Sequence, residues 1–322
     1  MRCAEPHLKG VISVDKPLKG KDYVSLTDYS ASDFQYLIEL AAELKKKQKD
    51  GTPHKLLEGK TLAMIFQKAS TRTRVSFEVA MYHLGGLGLF LSANELQIGR
   101  GEPVQDTARI LASYCEGILI RTFSHQEVLN LAKYSNVPVI NGLTDDEHPT
   151  QALADLLTAY EEFGALKGRR LAFIGDGNNV AVSLMHACAL TGMEIVLACP
   201  QNYRPVEKAI DEFEKMKQPG AGLKIVEDPK AAAAGADILY TDVWASMGQE
   251  QESQARMEAL KGYQINSALL KLAKPSAIVM HCLPAHRGEE ITDEAMECGQ
   301  SRIFQEAENR MHAHKAILAA LL

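Results

Sequence analysis

One segment of the sequence combines hydroxyl and guanidinium side chains in an arrangement suited to an anion. Residues 70–74 read Ser-Thr-Arg-Thr-Arg and directly follow the apolar run at 61–66, which predicts a buried strand. Free backbone N–H groups and small hydroxyls at a helix N-terminus bind anions, and arginine adds paired donors that match phosphate. A simple Ser/Thr helix cap beside a solvated arginine is the alternative. Two arginines among three hydroxyls favour the phosphate site.

Three further side chains follow predicted strands at the same edge of the sheet. Arg121 comes directly after the apolar run 117–120, and His148 and Gln151 follow the run 137–140 across a short turn. In parallel sheets, ligands bind beyond the carboxyl ends of the strands, so these side chains could reach the same ligand. Their spacing lets His148 and Gln151 face one crevice. Taken singly, Arg121 fits a strand exit to solvent and His148 fits a helix cap.

The second half of the chain offers another group of candidates. Asp242 follows the predicted strand 237–241, where it could pair with a ligand ammonium or cap a helix. His281, Cys282 and His286 suggest zinc, but two adjacent ligands with a third four residues on match no standard zinc spacing. A Cys–His nucleophile pair is also conceivable. Neighbouring residues on a strand point to opposite faces, which weakens the pairing of His281 with Cys282.

A glycine pair after the predicted strand 171–175 partly resembles a dinucleotide-binding loop. Gly175 and Gly177 are followed by Val180, where the third glycine or alanine of that motif should stand. No acidic residue clearly ends the next strand. We therefore disfavour an NAD-dependent dehydrogenase and expect no such cofactor.

These groups require a scaffold of alternating strands and helices. The first half predicts strands at 61–66, 87–91, 117–120 and 137–140 and helices at 29–48, 72–84, 104–114, 126–134 and 149–163. The second half predicts strands at 171–175, 194–198, 223–227, 237–241 and 277–281, and a final helix at 306–322. Such alternation favours parallel sheets with right-handed crossovers, hence an α/β fold. The two blocks join near 161–168.

The composition fits two ordinary globular domains. The 322 residues correspond to about two domains of roughly 150 residues, with 46% hydrophobic and 24% charged residues. The net charge of −6 disfavours general binding to nucleic acid or to a membrane surface. The sequence shows no apolar span of about 20 residues and no secretory signal, and its six cysteines lack a CxxC pair. We therefore expect a cytoplasmic protein.

Together and in order, five motifs resemble those of the aspartate/ornithine carbamoyltransferase family, and most closely its ornithine branch. The motifs are Ser-Thr-Arg-Thr-Arg (70–74), His-Pro-Thr-Gln (148–151), Asp242 with Ser-Met-Gly (246–248), His-Cys-Leu-Pro (281–284) and Glu-Ala-Glu-Asn-Arg (306–310). The resemblance covers the chain from about residue 25 onward, and the first 24 residues match no family motif. It implies two α/β domains, each a mostly parallel sheet flanked by helices. Residues 1–160 would bind carbamoyl phosphate, residues 161–305 would bind ornithine, and the helix at 306–322 would pack back on the first domain.

The resemblance also implies a reaction. The δ-amino group of L-ornithine attacks the carbonyl carbon of carbamoyl phosphate and gives L-citrulline and phosphate, as in arginine biosynthesis or the urea cycle. No metal or redox cofactor is implied, and the assembly would be a homotrimer or a multiple of trimers with active sites between subunits. A sibling that uses another amine, such as putrescine or an acylated ornithine, is the alternative, against which the Ser-Met-Gly segment argues.

Carried over residue by residue, the resemblance assigns a site that draws on both domains. Carbamoyl phosphate would contact Ser70, Thr71, Arg72, Thr73, Gln97, Arg121, His148, Gln151, Cys282, Leu283 and Arg310, with Gln97 supplied by a neighbouring subunit. Ornithine would contact Asn179, Asp242, Ser246 and Met247. The catalytic residues would be Arg121, His148, Asp242 and Cys282. Arg121 and His148 suit the oxyanion that forms at the carbamoyl carbon. Either Cys282 or the departing phosphate could accept the proton of the amine.

Overall fold

Nine strands form two parallel sheets in the part of the chain that the computed structural model describes, residues 17–93, 95–97, 101–245 and 252–322. The first sheet contains β1 (Thr61–Phe66), β2 (Leu87–Ser92), β3 (Gly117–Arg121) and β4 (Val139–Leu143), in the spatial order β2-β1-β3-β4. The second contains β5 (Arg170–Ile174), β6 (Glu194–Ala198), β7 (Gly222–Val226), β8 (Ile238–Thr241) and β9 (Ile278–His281), in the order β7-β6-β5-β8-β9. Every strand pair is parallel, which confirms the predicted α/β class.

Helices separate most of the strands, as the alternating pattern predicts. Those of the first half are α1 (Ala31–Lys49), α2 (Thr71–His83), α3 (Val104–Tyr114), α4 (His125–Tyr134) and α5 (Pro149–Phe163). They are followed by α6 (Asn179–Thr191), α7 (Glu207–Met216), α8 (Pro229–Ala233), α9 (Ser253–Leu260), α10 (Ser267–Leu270), α11 (Asp293–Met296) and α12 (Ile303–Leu321). Local signals explain their limits: Ser30 and Asp33 form a capping box before α1, and Gly164 ends α5 in the left-handed conformation.

The last helix returns to the first sheet's layer of helices. Helix α12 packs against α1, α2 and α5, which confirms the expected return to the first domain. Its small side chains Ala313, Ala316, Ala319 and Ala320 are fully buried, which lets these helices approach closely. The helix therefore brings Arg310, near its middle, to the side of the first sheet.

Chain order reverses direction at one point in each sheet. In the first sheet the chain passes outward from β1 to β2 and then crosses back to β3, and in the second it does so between β5 and β8. The crevice at the carboxyl ends of such a strand pair is the usual ligand site of open α/β sheets. Both crevices therefore predict binding residues in the loops after β1, β3, β5 and β8.

A bulge shapes the carboxyl end of β3. Ile120 pairs with Asn141, whereas Arg121 pairs with Leu143, so β4 carries one extra residue, Gly142. A Cβ on Gly142 would lie 3.2 Å from the Ile120 carbonyl oxygen, so the bulge favours glycine there. Such bulges re-aim neighbouring side chains, and here the one affected is Arg121.

Within the described ranges, no helix is both long and apolar enough to cross a membrane.

Candidate active site

A cavity of about 1170 Å³ lies where the carboxyl ends of both sheets meet. It gathers most of the residues that the sequence predicts for the site, from segments far apart in the chain. The predicted residues that line it are Ser70, Thr71, Arg72, Arg121, His148, Gln151, Asn179, Asp242, Cys282, Leu283 and Arg310. The two strand-end crevices therefore open into one shared space.

The loop after β1 presents a helix N-terminus to this cavity. Ser70 is the N-cap of α2, and its hydroxyl accepts a hydrogen bond from the backbone N–H of Thr73 at 3.2 Å. Ser70, Thr71 and Arg72 line the cavity at this end of the helix. The positive end of the helix dipole and these donors make the wall attractive to an anion.

Three guanidinium groups converge beside that helix end. Arg121 and Arg310 are 7% and 3% exposed, and Arg72 lies close enough to repel both. Burial together with Arg310 and Arg72 lowers the pKa of Arg121 to about 9. The Nε atoms of all three are buried and have no hydrogen-bond partner among the described residues. Because three close cations repel one another and are costly to bury, this arrangement is suited to an incoming anion of high charge.

Arg310 is held in place by the first domain. Its Nη2 donates to the hydroxyl of Thr73 at 2.7 Å, and the same hydroxyl accepts from Ser70 at 3.1 Å. Thr73 is fully buried and lies behind the cavity wall. Its hydroxyl therefore positions Arg310 and the α2 terminus, and its contact with carbamoyl phosphate stays a prediction.

His148 and Gln151 form the next part of the wall, at the start of α5. His148 is the N-cap of that helix, and Gln151 is fully buried one turn on. Burial and the nearby Arg310 and Arg121 lower the pKa of His148 well below its usual range, so its ring is neutral at pH 7. A neutral imidazole keeps one N–H donor for an oxygen in the cavity.

The opposite wall carries a carboxylate with defined partners. Asp242 Oδ1 accepts from the Cys282 thiol at 2.9 Å and from the backbone N–H of Val243 at 2.8 Å. Its Oδ2 accepts from the side-chain amide of Asn178 at 2.8 Å. Burial and the adjacent Asp242 raise the pKa of the Cys282 thiol well above its usual range. Cys282 is therefore a thiol and not a thiolate at neutral pH, which argues against a role as base.

Helix α6 holds the turn that carries His148. Asn179, Ser183 and His186 are spaced four and three residues apart and so share one face of the helix. The Asn179 amide donates to the Thr144 carbonyl at 2.5 Å, and the Ser183 hydroxyl accepts from the backbone N–H of His148 at 2.7 Å. His186 Nδ1 lies 3.8 Å from Glu147. One helix of the second domain thus contacts three successive points of a first-domain turn.

Three other predicted contacts are not among the described residues that line this cavity. Gln97 is exposed on the loop after β2, and its contact with a neighbouring subunit stays a prediction. Ser246 and Met247 lie outside the described residues.

The residues that suggested zinc have structural partners. His281 Nε2 lies 3.0 Å from Glu290 Oε1, and its Nδ1 accepts from the backbone N–H of Leu283 at 2.9 Å. Asp242, His281 and Cys282 place ligand atoms within 4.8 Å of one another. Because both ring nitrogens of His281 are engaged, that ring braces the turn. Leu283 follows with a φ of 57°, which is uncommon for a residue other than glycine and typical of functional turns.

The glycine pair after β5 has a packing role. Gly175 has a φ of 142°, and a Cβ on Gly177 would lie 2.5 Å from the backbone nitrogen of Pro205 and 2.8 Å from the Tyr203 carbonyl oxygen. Glycine is therefore required by the close approach of the loop after β6.

Sequence reasoning missed several residues of the site. Asn178, which caps α6 and holds Asp242, could have been found because an Asn before an apolar helix is a cap signal. Arg256 and Asp176 line the outer cavity and pair at 2.5 Å, across 80 residues of chain. The buried carboxyl groups of Asp155 and Glu306 lie behind Gln151; Glu306 opens the motif at 306–310, but the resemblance assigned it no contact. No local pattern marks these last contacts, because they depend on tertiary packing.

Comparisons with known proteins agree with this geometry. The family model described as "Aspartate/ornithine carbamoyltransferase, carbamoyl-P binding domain" matches residues 21–161. The model described as "Aspartate/ornithine carbamoyltransferase, Asp/Orn binding domain" matches residues 167–321.

Individual proteins are similar over nearly their whole length. A protein of Anoxybacillus flavithermus named ornithine carbamoyltransferase is 55% identical over 95% of this chain and 98% of its own. The solved ornithine carbamoyltransferase of Pyrococcus furiosus is 51% identical over 94% of this chain and 97% of its own, with a TM-score of 0.91. An anabolic ornithine carbamoyltransferase of Campylobacter jejuni is 41% identical over 92% and 97%, with a TM-score of 0.87. The chain belongs to the aspartate/ornithine carbamoyltransferase family.

Proposed function

We propose that this protein is an ornithine carbamoyltransferase, which transfers the carbamoyl group of carbamoyl phosphate to the δ-amino group of L-ornithine and forms L-citrulline and phosphate. One observation carries the proposal. Three guanidiniums whose buried Nε atoms lack partners within the described chain converge with a helix N-terminus on one wall of a cavity, and the opposite wall carries Asp242. The first wall suits a dianionic phosphate, and the second suits a cationic amine substrate.

Carbamoyl phosphate binds at the first wall. Ser70, Thr71 and Arg72 hold the phosphate, and Arg310, positioned by Thr73, adds a further donor. Arg121 and the neutral ring of His148 donate to the carbonyl oxygen, which becomes an oxyanion when the amine attacks. Preorganised donors of this kind contribute about 10²–10³-fold each.

Gln151 accepts from the carbamoyl NH2 group, and Leu283 and Cys282 close the site beside the reacting carbon. Leu283, whose φ is positive, lies in the turn after β9 and lines the cavity. This arrangement excludes water from a carbon that water could otherwise attack.

Ornithine binds between Asn179 and Asp242, with Ser246 and Met247 completing the contacts. The free δ-amine has a pKa near ~10.5, so it must lose one proton before it attacks. A second proton leaves as the new C–N bond forms and the C–O bond to phosphate breaks. Because Cys282 is already protonated, that second proton passes to an oxygen of the departing phosphate.

The alternative acceptors fit the wall less well. Putrescine keeps an amine at each end but has no carboxylate, so it lacks the group that the asparagine amides beside Asp242 would bind. An acylated ornithine lacks the cationic α-ammonium that Asp242 would bind. These chemical differences favour ornithine itself, and an anabolic relative supports use in arginine biosynthesis.

The two halves divide this work. Residues 1–160 form the carbamoyl-phosphate domain and residues 161–305 the ornithine domain, with the helix that contains 306–322 completing the first. The family models divide the chain at 161–167, and α12 packs on α1, α2 and α5.

The enzyme is a homotrimer or a multiple of trimers. Large apolar side chains are exposed on α2, the edge strand β2 and α3, close in the chain to Gln97. They are Val75, Tyr82, Leu87, Leu89, Ile110 and Tyr114. A second copy that covers this side would remove apolar surface from water and bring Gln97 to a neighbouring phosphate site. The five cysteines of the described chain carry free thiols, the state that a reducing cytoplasm maintains.

A panel of amines tests the proposal. Purified protein is given carbamoyl phosphate with ornithine, putrescine, N-α-acetylornithine or aspartate, and the ureido product is measured. Ornithine should give citrulline with a kcat/KM at least about 100-fold above any other amine. If saturating ornithine yields no citrulline, the proposal is wrong. If putrescine or the acylated ornithine reacts faster, the sibling activity replaces it.

A further inference from the structure

The amide of Gln151 lies between the cavity and two buried carboxyl groups. Its Nε2 donates to Asp155 Oδ1 at 2.8 Å and to Glu306 Oε1 at 3.2 Å. Its Oε1 is buried without a hydrogen-bond partner in the described structure, while the side chain lines the cavity. The amide nitrogen is therefore occupied, and the amide oxygen is left for a ligand.

The two carboxyl groups act as one unit. Asp155 is 1% exposed and Glu306 is 0% exposed, and the Tyr240 hydroxyl lies 3.1 Å from Asp155 Oδ2 and 3.2 Å from Glu306 Oε1. Burial and mutual repulsion raise the pKa of Glu306 well above its usual range. The pair therefore keeps a proton at neutral pH and carries about one negative charge, which Arg310 faces.

This unit connects elements that are distant in sequence. Asp155 comes from α5 and Glu306 from α12, and Glu306 Oε2 accepts from the backbone N–H of His281 at 2.9 Å. His281 is the last residue of β9 and precedes Cys282 in the cavity wall. The orientation of Gln151 is thus tied to helices of the first domain and to a strand of the second.

An unconstrained glutamine amide can turn over, because its two ends are nearly the same size. The retained proton is shared in the hydrogen bond between Asp155 and Glu306, so the oxygens that face Gln151 act as acceptors. Such oxygens repel a carbonyl oxygen and hold the NH2 end of the amide toward themselves. Gln151 then presents only its acceptor oxygen to the cavity. A carbamoyl group offers N–H donors to that acceptor, whereas an acetyl group of similar shape offers a methyl.

We propose that Asp155 and Glu306 are positioning residues that fix the Gln151 oxygen toward the cavity and thereby make the site select carbamoyl over acetyl phosphate. The inference rests on the proposed transfer reaction and extends it to donor specificity. A site that leaves a buried acceptor unpaired rejects an analogue without the donor far more strongly than size alone would allow.

The variants Glu306→Gln and Asp155→Asn test this role. Each replaces a carboxyl by an amide of the same shape. In Glu306→Gln the new NH2 group opposes either the Gln151 amide or the His281 N–H, because each carboxyl oxygen of Glu306 accepts from one of them. In Asp155→Asn one of the two oxygens that accept from Gln151 and Tyr240 becomes a donor. For each, kcat/KM is measured with carbamoyl phosphate, which yields citrulline, and with acetyl phosphate. In the second reaction the δ-amine forms a bond to the acetyl carbon, the C–O bond to phosphate breaks, the amine proton passes to phosphate and N-δ-acetylornithine results. The carbamoyl-to-acetyl ratio should fall at least about tenfold, with KM for carbamoyl phosphate rising more than KM for ornithine.

Tyr240→Phe is the matched control. It removes one donor from the carboxyl pair but leaves both contacts to Gln151, so the ratio should stay within about threefold of the native value. Binding provides a second readout, because the chain's only tryptophan, Trp244, lies two residues from Asp242 and can report binding by fluorescence. In the two amide variants, Kd for carbamoyl phosphate should rise while Kd for inorganic phosphate stays within about twofold.

The outcomes separate the possibilities. Equal loss of affinity for both ligands, or an unchanged substrate ratio in a folded variant, would show that the pair is only structural and would overturn the inference. If both amide variants fail to fold, Gln151→Leu decides: it removes the acceptor, and an unchanged ratio contradicts the inference. Absence of citrulline with the native protein would instead count against the proposed reaction.

Discussion

The backbone N–H of His148 donates to the hydroxyl of Ser183 at 2.7 Å, and this contact joins the two domains at a residue of the cavity wall. Ser183 is fully buried on α6. One turn earlier on the same helix, Asn179 lines the cavity and donates to Thr144, within the same turn. Helix α6 thus connects the part of the cavity wall that carries Asn179 to the turn that carries His148.

Ser183→Ala should disturb catalysis more than binding. The substitution leaves the buried N–H of His148 without its acceptor, which costs about 1–3 kcal/mol, and frees the turn to shift. We expect kcat to fall at least about tenfold, with a smaller change in KM for ornithine. Thr191→Ala, on the same helix but bonded only to its own helix carbonyls, is the control. Equal kcat in the two variants would contradict the positioning role of Ser183.

Arg72→Ala should weaken carbamoyl phosphate binding without loss of stability. The change removes a donor from the phosphate wall, but it also removes a charge that repels Arg121 and Arg310. We expect Kd for carbamoyl phosphate to rise at least about tenfold and Tm to change by less than about 4 °C. Arg74→Ala is the matched control, since Arg74 is exposed two residues on and pairs with Glu78. An unchanged Kd in Arg72→Ala would refute the phosphate assignment.

Cys282→Ala should leave the pH profile in place. Because the thiol stays protonated, the acidic limb of kcat/KM for ornithine reports the amine of ornithine and not Cys282. We expect that limb within about 0.3 pH unit of the native position, with kcat reduced about tenfold or less. A thousandfold loss of kcat, or a displaced limb, would instead identify Cys282 as the base.

Acid should destabilise the protein in part through His312. Burial, and then Lys315, Lys45 and Lys49, lower the pKa of His312 to about 3, whereas an unfolded histidine titrates near ~6.5. Between these values the unfolded chain binds a proton that the folded chain does not. The stability contributed by the neutral ring is therefore complete above about pH 6.5 and is lost as the pH falls toward 3.

Urea unfolding of the native protein and of His312→Asn measures this effect. At pH 7.5 the difference in the free energy of unfolding between the two proteins gives the packing cost of the substitution alone. Below about pH 6.5 the native advantage should shrink by up to about 1.4 kcal/mol per pH unit, since the variant has no ring to protonate. A difference that stays constant down to pH 4.5 would contradict the assignment.

Subunit mixing tests whether Gln97 serves a neighbour. Gln97→Ala and Arg72→Ala should each be nearly inactive alone. In a randomly mixed 1:1 population, about a quarter of the intersubunit sites would combine an intact Arg72 from one chain with an intact Gln97 from the next. We expect activity to recover toward that fraction after dissociation and reassembly. If mixing restores nothing, although light scattering shows mixed oligomers, Gln97 does not act across the interface.

The sequence predicts the positions of the strands well, and it identifies candidate site residues in the loops that follow them. Patterns such as the apolar run before Ser70 are local, so β1, β3 and β4 appear within two or three residues of their expected bounds. Arg121 could be named from its place after a strand. The direction of its side chain could not be predicted, because it depends on the bulge at Gly142 in the neighbouring strand.

Other parts of the site depend on contacts with no local signature. Asp155 lies on a helix that is buried on nearly all sides, and Glu306 approaches it across 151 residues of chain. Only packing of α12 against α5 brings the two carboxyl groups to Gln151. Thr73, which the motif assigns to the phosphate, also holds Arg310 through its hydroxyl, and the motif gives no sign of that contact.

The central claim is that the protein transfers the carbamoyl group to the δ-amine of ornithine, and isotope labelling of both substrates tests it most directly. Native protein is incubated with [13C]carbamoyl phosphate and [δ-15N]ornithine, and the products are followed by NMR. We expect citrulline in which the 13C ureido carbon is coupled to the δ-15N, with one phosphate released per citrulline. Label that remains in carbamoyl phosphate, or appears only in its hydrolysis products while ornithine is unchanged, would contradict it.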